Sequence, residues 1–258
     1  MKIGCCAYSY RKHLTSGDMT MEGFIDLAAE EGFEGVELTN YYFTSSDADY
    51  LHSLKRRCLV NGLSVSGAAI RSQFTLADAS ERAAQVATVK EWIGHSVELG
   101  APEMRIFAGN TPEGHTDEEA FNWTVEGLIE CAKVAAERGV VLALENHGGI
   151  TLTAGQVIRL IEAVDSEWLR LNMDTGNFRE DPYEEMTRTA PLAVTAHMKA
   201  AIPMPEGRVP VDVERVIGTL HKAGYRGFVN VEYEEEEDPR TGVPKLMAQM
   251  KSALANVV

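Results

Sequence analysis

Basic residues are few in this 258-residue chain, and their scarcity limits the partners that it can bind. Lys and Arg together number 24 against 39 Asp and Glu, so the formal net charge is −15. No segment concentrates Lys and Arg into a basic stripe. Nucleic-acid backbones and anionic membrane surfaces attract basic proteins, and we therefore expect neither as a partner of this chain.

Paired cysteines and long apolar runs are missing as well. The four cysteines, Cys5, Cys6, Cys58 and Cys131, show no C-x-x-C spacing, which disfavours a disulfide framework and a structural zinc site. No run approaches the ~18 apolar residues of a membrane span. The chain starts with an apolar strand pattern rather than a charged leader. These absences predict a cytoplasmic protein.

The sequence also has no proline-, serine- or glycine-rich linker, which predicts one domain over residues 1–258. P-loop, G-x-G-x-x-G, H-E-x-x-H and nucleophile-elbow motifs do not occur. Nucleotide binding, zinc proteolysis and serine hydrolysis therefore lack support.

What the chain does have is a regular alternation of short apolar runs and helical segments. Helical segments end in Gly before the next run, as at Leu99-Gly100, and Thr116 with Glu119 forms the pattern of a capping box. Strict βα alternation implies parallel strands, and eight units fit the ~250 residues of a single (β/α)8 TIM barrel. A doubly wound open sheet is the competing α/β fold. The predicted strands are 2–9, 35–40, 63–70, 103–109, 141–147, 169–175, 194–200 and 227–233, and the predicted helices lie near 20–32, 47–61, 78–99, 116–138, 154–164, 182–189, 211–223 and 240–255.

Side chains that can bind a metal ion stand near the ends of the last four apolar runs. As strands, these runs have period two, so Leu142 and Leu144, for example, lie on the face opposite to the polar residue. Each polar residue alone fits a solvent-facing strand end, but four on successive strands would converge at the carboxyl-terminal mouth of a barrel. Three carboxylates and one imidazole suit Mn²⁺ or Mg²⁺, and they are also compatible with Zn²⁺ or Co²⁺. The four residues are Glu145, Asp174, His197 and Glu232.

These residues and their neighbours resemble those of the xylose isomerase-like TIM-barrel superfamily, also described as sugar phosphate isomerase/epimerase or AP endonuclease family 2-like barrels. Its members include ketose 3-epimerases, hydroxypyruvate isomerase, inosose dehydratase and the endonuclease IV group. The resemblance covers almost the whole chain and is specific for the fold and the metal site. Its motifs are Tyr8-Ser9-Tyr10, Glu145-Asn146-His147, Asp174-Thr175-Gly176-Asn177, His197-Met198-Lys199 and Glu232-Tyr233.

The resemblance implies a metal-dependent sugar or polyol isomerase/epimerase. Glu145, Asp174, His197 and Glu232 match the metal ligands of the family, and the two glutamates would also exchange protons with a small-molecule substrate. The metal would stabilise an enediolate while a carboxylate removes the proton. The alternative is a metal-dependent lyase or dehydratase that acts on a keto-sugar, keto-inositol or 3-keto-glycoside.

Two further hypotheses are weaker, and the oligomeric state stays open. A non-catalytic barrel that binds sugar, or serves as a subunit of a larger assembly, is disfavoured because all four ligand positions are kept. A DNA endonuclease would need a basic face, and this chain is acidic. The sequence is compatible with a homo-oligomer.

Two positions depart from the ketose-epimerase pattern. Asn177 stands where those enzymes carry a substrate-binding histidine, and Pro203 stands where they carry an arginine, so a free ketohexose is not the expected substrate. Lys199, two residues after His197, gives the His-x-Lys pattern of the inositol-dehydratase and keto-sugar branches. We predict a catalytic role for Lys199, in which its ammonium holds an enolate oxygen or assists the departure of a hydroxyl. The alternative is an ion pair between Lys199 and a neighbouring glutamate.

Four further residues are candidates for substrate binding. His147 shares the strand face of Glu145, and the alternative is a packed histidine that bonds to the next loop. Arg71 follows the third strand and could clamp an anion or a hydroxyl. Asn177 is a candidate from its position after Asp174. Glu37 faces inward at the end of the second strand, where a buried pair with Arg105 is the alternative.

Overall fold

The computed structural model describes residues 1–257, and within them eight parallel strands close into a barrel. The first strand, Lys2–Cys6, pairs with Gly35–Thr39 on one side and with the last barrel strand, Phe228–Val231, on the other, which excludes an open sheet. The predicted (β/α)8 barrel is therefore confirmed. The barrel strands are β1 Lys2–Cys6, β2 Gly35–Thr39, β3 Ser64–Ala69, β4 Glu103–Ile106, β5 Val141–Glu145, β6 Leu169–Asp174, β7 Ala193–Met198 and β10 Phe228–Val231.

The helices that cover the barrel begin and end with the signals expected from the sequence. Thr116 and Glu119 form a reciprocal capping box at the start of α5. Gly100 ends α4 with φ of 74°, a left-handed conformation that residues with a Cβ adopt only rarely. The helices in the described range are α1 Arg11–Ser16, α2 Met21–Glu31, α3 Ala48–Val60, α4 Ala79–Leu99, α5 Asp117–Arg138, α6 Ala154–Val164, α7 Pro182–Thr189, α8 Val213–Lys222 and α9 Pro239–Ala255. None of them is long and apolar enough to cross a membrane.

The structure differs from the sequence-based prediction in one strand boundary and in one element that was not predicted. The first strand ends at Cys6 rather than at residue 9, because Ala7–Tyr10 turns into a 3₁₀ helix that leads into α1. An antiparallel hairpin, β8 Ala201–Met204 and β9 Gly207–Pro210, follows the seventh barrel strand. The hairpin is difficult to predict from the sequence because its strands contain Pro203 and Pro210. Proline lacks the backbone N–H that a central strand uses for hydrogen bonding. Both prolines are tolerated here because the hairpin forms a separate two-stranded sheet outside the barrel.

The amino-terminal half of the barrel interior is polar. Ser66 donates a hydrogen bond to the side-chain oxygen of Asn230 at 3.0 Å, and Asn230 donates to Thr195 at 3.2 Å. Glu103 lies in the same part of the barrel, opposite Gly67, where an added Cβ would come within 1.8 Å of Oε1 of Glu103. Both oxygens of Glu103 are buried without a hydrogen-bond partner in residues 1–257. The apolar core therefore lies mainly between the strands and the helices, whereas the interior of the barrel contains polar and ionisable side chains.

Candidate functional site

The four predicted metal ligands lie together at the carboxyl-terminal mouth of the barrel. Glu145 and Asp174 are the last residues of β5 and β6, His197 is the next-to-last residue of β7, and Glu232 directly follows β10. Strand register places Asp174 beside His197. None of the four is more than 4% exposed.

Distances from Nδ1 of His197 describe the cluster. The nearest carboxylate oxygens of Glu232, Glu145 and Asp174 lie 3.1, 3.7 and 3.8 Å from this nitrogen. Metal–ligand bonds are about 2.0–2.6 Å long, so donors around one ion stand at separations of this order. Oδ2 of Asp174 is buried, yet it accepts no hydrogen bond from the part of the chain that the structure describes. The donor types and this oxygen without a hydrogen bond fit a divalent cation, and ligation by these four residues stays a prediction.

Asn146, a residue to which the sequence pattern gave no role, fixes the position of Asp174. Its side-chain amide donates to the backbone oxygen of Asp174 at 2.9 Å and accepts from the backbone N–H of Asp174 at 2.8 Å. The backbone N–H of Gly176 donates to Oδ1 of the same carboxylate at 2.7 Å. With Oδ1 engaged in this way, Oδ2 is the atom that Asp174 presents to the cluster.

Three side chains surround the carboxylate of Glu145. Asn172 donates to Oε2 at 2.9 Å and Asn177 donates to Oε1 at 3.3 Å. Nε of Arg105 lies 3.4 Å from Oε2. Burial raises the pKa of Glu145 to about 8, against the opposing charges of Arg105 and His197. Asn172 could have been found in the sequence, since it shares the strand face of Asp174.

Lys199 makes the contacts of the ion-pair alternative and also lines the cavity. Its ammonium lies 3.1 Å from Oδ2 of Asp174 and 2.8 Å from Oε1 of Glu234, and it donates a short hydrogen bond to Glu232. Burial alone would lower the pKa of Lys199, but these three carboxylates raise it well above its ordinary value. Glu234 belongs to an acidic run that looks solvated in the sequence, and its role beside Lys199 was missed.

The same charges set the state of Glu232. Burial would raise the pKa of its carboxyl, but His197 and Lys199 hold this pKa well below the ordinary value. The surroundings therefore shift the pKa values of the two glutamates in opposite directions, Glu145 towards the protonated form and Glu232 towards the ionised form.

A cavity of about 170 Å³ opens above the cluster. An engineered cavity of ~150 Å³ is known to hold benzene, so this space fits one six-membered ring. A wider groove of about 630 Å³ shares Tyr8, Tyr41 and Arg71 with it. The side chains that line the cavity are Tyr8, Tyr41, Arg71, Arg105, Phe107, Glu145, His147, Asn177, Lys199, Glu232 and Glu234.

Three of the four candidates for substrate binding are in the wall of this cavity. His147 stacks against Phe107 with ring centroids 4.1 Å apart, and burial together with the charge of Arg105 lowers the pKa of its imidazole. The guanidinium of Arg71 lies over the ring of Tyr41, 4.9 Å from its centroid. Asn177 reaches the cavity beside Glu145. Their contacts with a substrate stay predictions.

Glu37, the fourth candidate, lies elsewhere. It is fully buried and is not part of the cavity wall formed by the described residues. Its Oε2 lies 2.8 Å from Nε2 of His197. The alternative pair with Arg105 is not formed within residues 1–257 either, since Arg105 stands against Glu145. In the structure Glu37 therefore contacts His197, and a direct contact between Glu37 and a substrate stays a prediction.

Comparison with known proteins agrees with this architecture. The family model of the xylose isomerase-like TIM barrel matches residues 25–253. The chain belongs to this family. The resemblance proposed from the motifs is thereby confirmed.

Curated relatives align over most of their length. An inosose dehydratase of Clostridium botulinum is 23% identical, and the match covers 95% of this chain and 92% of the relative. An inosose dehydratase of Geobacillus thermodenitrificans is 24% identical, with 88% and 86% covered.

Solved structures of similar shape share the fold at lower identity. D-psicose 3-epimerase of Clostridium cellulolyticum superposes with a TM-score of 0.77 at 18% identity, covering 100% of this chain and 98% of that one. The 3-keto-D-glucoside 4-epimerase of E. coli gives a TM-score of 0.78 at 16% identity, with 98% and 99% covered. The IOLI protein with a bound zinc atom gives 0.75 at 18% identity, with 100% and 98% covered. At these identities the likeness shows the fold.

Proposed function

We propose that this chain is a divalent-metal-dependent enzyme that removes a proton from the carbon next to the carbonyl group of a sugar or keto-polyol. The observation that carries the proposal is the convergence of three carboxylates on His197 at the floor of a ring-sized polar cavity. A bound divalent ion would polarise the carbonyl oxygen and a neighbouring hydroxyl, and so acidify the C–H bond between them. Glu145, Asp174, His197 and Glu232 would hold this ion.

The other residues of the cavity supply proton transfer and orientation. Glu145 and Glu232 both line the cavity. We assign the removal of the proton to Glu145, whose carboxylate a divalent cation held beside it would keep ionised. The ammonium of Lys199 would act either on the oxygen where negative charge develops or on the departing hydroxyl, and a buried cation does this well because little water competes with it. His147 and Asn177 would bind the hydroxyl groups of the ring.

Elimination of water is the reaction that we place first. In it the C–H bond breaks and its proton passes to Glu145, a C=C bond forms, and the C–O bond of the next carbon breaks. The leaving hydroxyl takes a proton from the ammonium of Lys199 and departs as water. This choice is supported by the relatives, which are inosose dehydratases matched over most of their length, and by the place of Lys199 beside Asp174 and Glu232.

Epimerisation or isomerisation is the second candidate. Glu145 and Glu232 enter the cavity from β5 and from the end of β10, which do not pair with one another in the barrel. A proton removed by one glutamate and returned by the other would reach the opposite face of the same carbon. The first step is common to both reactions, so only the fate of the resulting enolate separates them.

The size of the cavity supports a small cyclic substrate. One six-membered ring, such as that of a keto-inositol or a keto-sugar, would occupy the cavity above the cluster. A 3-keto-glycoside would place its aglycone in the groove beside Tyr8 and Tyr41. We propose no nucleic-acid or membrane partner for this acidic chain.

Incubation of Mn²⁺-loaded protein with candidate substrates in heavy water tests the proposal. Inososes, keto-sugars and 3-keto-glycosides are followed by mass spectrometry with and without a chelator. Loss of one water molecule, or of an aglycone, only when metal is present is the expected result. Deuterium incorporation without such a loss would select the epimerase instead. Neither change with any substrate class, in protein that binds metal, would contradict the proposal.

A further inference from the structure

We infer that Glu37 is a positioning residue that fixes which nitrogen of His197 is presented to the metal. This inference rests on the proposed function, since it concerns the same metal site. Glu37 and His197 are both fully buried, 160 positions apart in the chain, and Oε2 of Glu37 lies 2.8 Å from Nε2 of His197. The two residues reach each other across the barrel, from β2 and β7.

The two nitrogens of His197 have different surroundings. Nε2 points towards Glu37, whereas Nδ1 lies within 4 Å of oxygens of Glu145, Asp174 and Glu232. A histidine binds a metal through a nitrogen that carries no proton, so the other nitrogen must carry it. A carboxylate beside Nε2 favours the tautomer with the proton there, and it leaves the lone pair of Nδ1 directed at the cluster.

Glu37 is itself held in one orientation. Cys6, its partner in the register of β1 and β2, donates its thiol hydrogen to Oε1 of Glu37 at 3.2 Å. That contact occupies one oxygen and leaves Oε2 for His197. Since the side chain is fully buried, water does not compete for either oxygen. The carboxylate of Glu37 can therefore act as a fixed acceptor for the hydrogen on Nε2 of His197.

A purely structural role for Glu37 would make a different prediction. A buried carboxylate that only balances the charge of a protonated imidazole would stabilise the protein before metal binds. It would no longer contribute once a metal replaces the proton on the imidazole. A positioning residue matters most in the metal-loaded protein, because the hydrogen bond at Nε2 orients the ring and raises the basicity of Nδ1. Metal affinity separates these roles, whereas melting temperature alone does not.

The experiment compares the dissociation constant for Mn²⁺, measured by titration calorimetry, in wild type and three variants. Glu37→Leu removes the acceptor, and we expect it to weaken Mn²⁺ binding about 10–100-fold, the usual range for such partners. Glu37→Gln keeps an acceptor of the same shape without the charge, and it should fall between Glu37→Leu and wild type. Glu103→Gln is the control, since Glu103 is a second buried carboxylate of the barrel interior that makes no hydrogen bond with His197 among the described residues. The charges of Glu37 and His197 act on Glu103 from a distance, so this variant should change the dissociation constant far less than Glu37→Leu does.

A second measurement follows the ring nitrogens directly. In Zn²⁺-loaded protein, ¹⁵N NMR of His197 should show the proton on Nε2 and a coordinated Nδ1 in wild type and in Glu103→Gln. If Glu37→Leu fails to fold, Glu37→Gln carries the test with both readouts. Wild-type affinity in both Glu37 variants, with unchanged ring signals, would overturn the inference and leave the proposed function intact. Failure of the wild type to bind any divalent ion would overturn the proposed function and this inference with it.

Discussion

The ammonium of Lys199 lies 3.1 Å from Oδ2 of Asp174, the carboxylate oxygen that accepts no hydrogen bond from the described part of the chain. A cation that belongs to the protein thus stands beside the oxygen that we assign to the metal. This relationship makes Lys199 the residue whose replacement reports most about the chemistry of the site.

Lys199→Met should lower kcat by about 10²–10³-fold, the usual scale for losing one electrostatic group that acts on the transition state. Affinity for the metal should not fall, because lysine is not a ligand and its charge beside Asp174 and Glu232 opposes a second cation. Steady-state kinetics and metal content on the same preparation check both statements. Lys245→Met, which removes an exposed partner of Glu237, is the control. A preserved kcat with a lowered melting temperature would show that Lys199 is only an ion-pair partner.

Glu145→Gln should lose about 10²–10⁴-fold in kcat while metal stays bound. The amide oxygen can still act as a ligand, but the group can no longer take a proton, and the loss matches the usual contribution of a general base. Single-turnover kinetics with metal-loaded protein measures the effect. An unchanged rate in a metal-loaded Glu145→Gln protein would remove Glu145 from the role of base.

Gly176→Ala tests whether catalysis depends on the close packing of Lys199 against the backbone of Gly176. An added Cβ would lie 2.7 Å from Cγ and 3.3 Å from Cβ of Lys199, too near the backbone for the lysine to yield easily. We expect a loss of up to about 10²-fold in kcat, as for a misplacement on the order of 1 Å. In Gly218→Ala, where the new Cβ meets nothing within 4 Å in the described chain, kcat should not change. Equal kcat in both variants would contradict the assigned position of Lys199.

Glu103 should make stability depend on pH. Burial, and then the charge of Glu37, raises the pKa of Glu103 well above its ordinary value in the folded protein, so folding takes up a proton once the unfolded chain has lost it. The stabilisation is complete below the unfolded pKa, about 4.3, and is lost as pH rises towards the folded pKa. The slope is about 1.4 kcal/mol per pH unit for one proton.

Urea unfolding of wild type and Glu103→Gln from pH 5 to 8 measures this dependence. The variant should show a smaller loss of stability with rising pH, because its side chain stays neutral in both states. Parallel curves for the two proteins would mean that Glu103 does not titrate between the folded and unfolded states over this range.

Much of the barrel and of the ligand cluster could be predicted from the sequence. Both depend on the alternation of inward and outward side chains along each strand, which is a local pattern. A period of two along β5 to β7 and β10 decides which side chains point inward, and the parallel topology brings the ends of these strands to one mouth. This alternation puts Asp174 and His197 on the inward face, and in the structure Oδ2 of Asp174 lies 3.8 Å from Nδ1 of His197.

What could not be predicted depends on distances across the barrel. The contact between Glu37 and His197 joins residues 160 positions apart, and no local pattern states which inward side chains meet. Glu103 begins a strand, where a carboxylate normally faces solvent, but the barrel closes around it. The place of Glu234 depends on how the loop after β10 bends back towards Lys199.

Anomalous diffraction from crystals soaked in Mn²⁺ tests the central claim most directly. The account predicts a single strong peak, with oxygens of Glu145, Asp174 and Glu232 and Nδ1 of His197 within about 2.0–2.6 Å of it. The peak should disappear in Asp174→Ala crystals grown and soaked in the same way. A wild-type structure with no peak at the barrel mouth, or with Mn²⁺ held by other residues, would contradict the account.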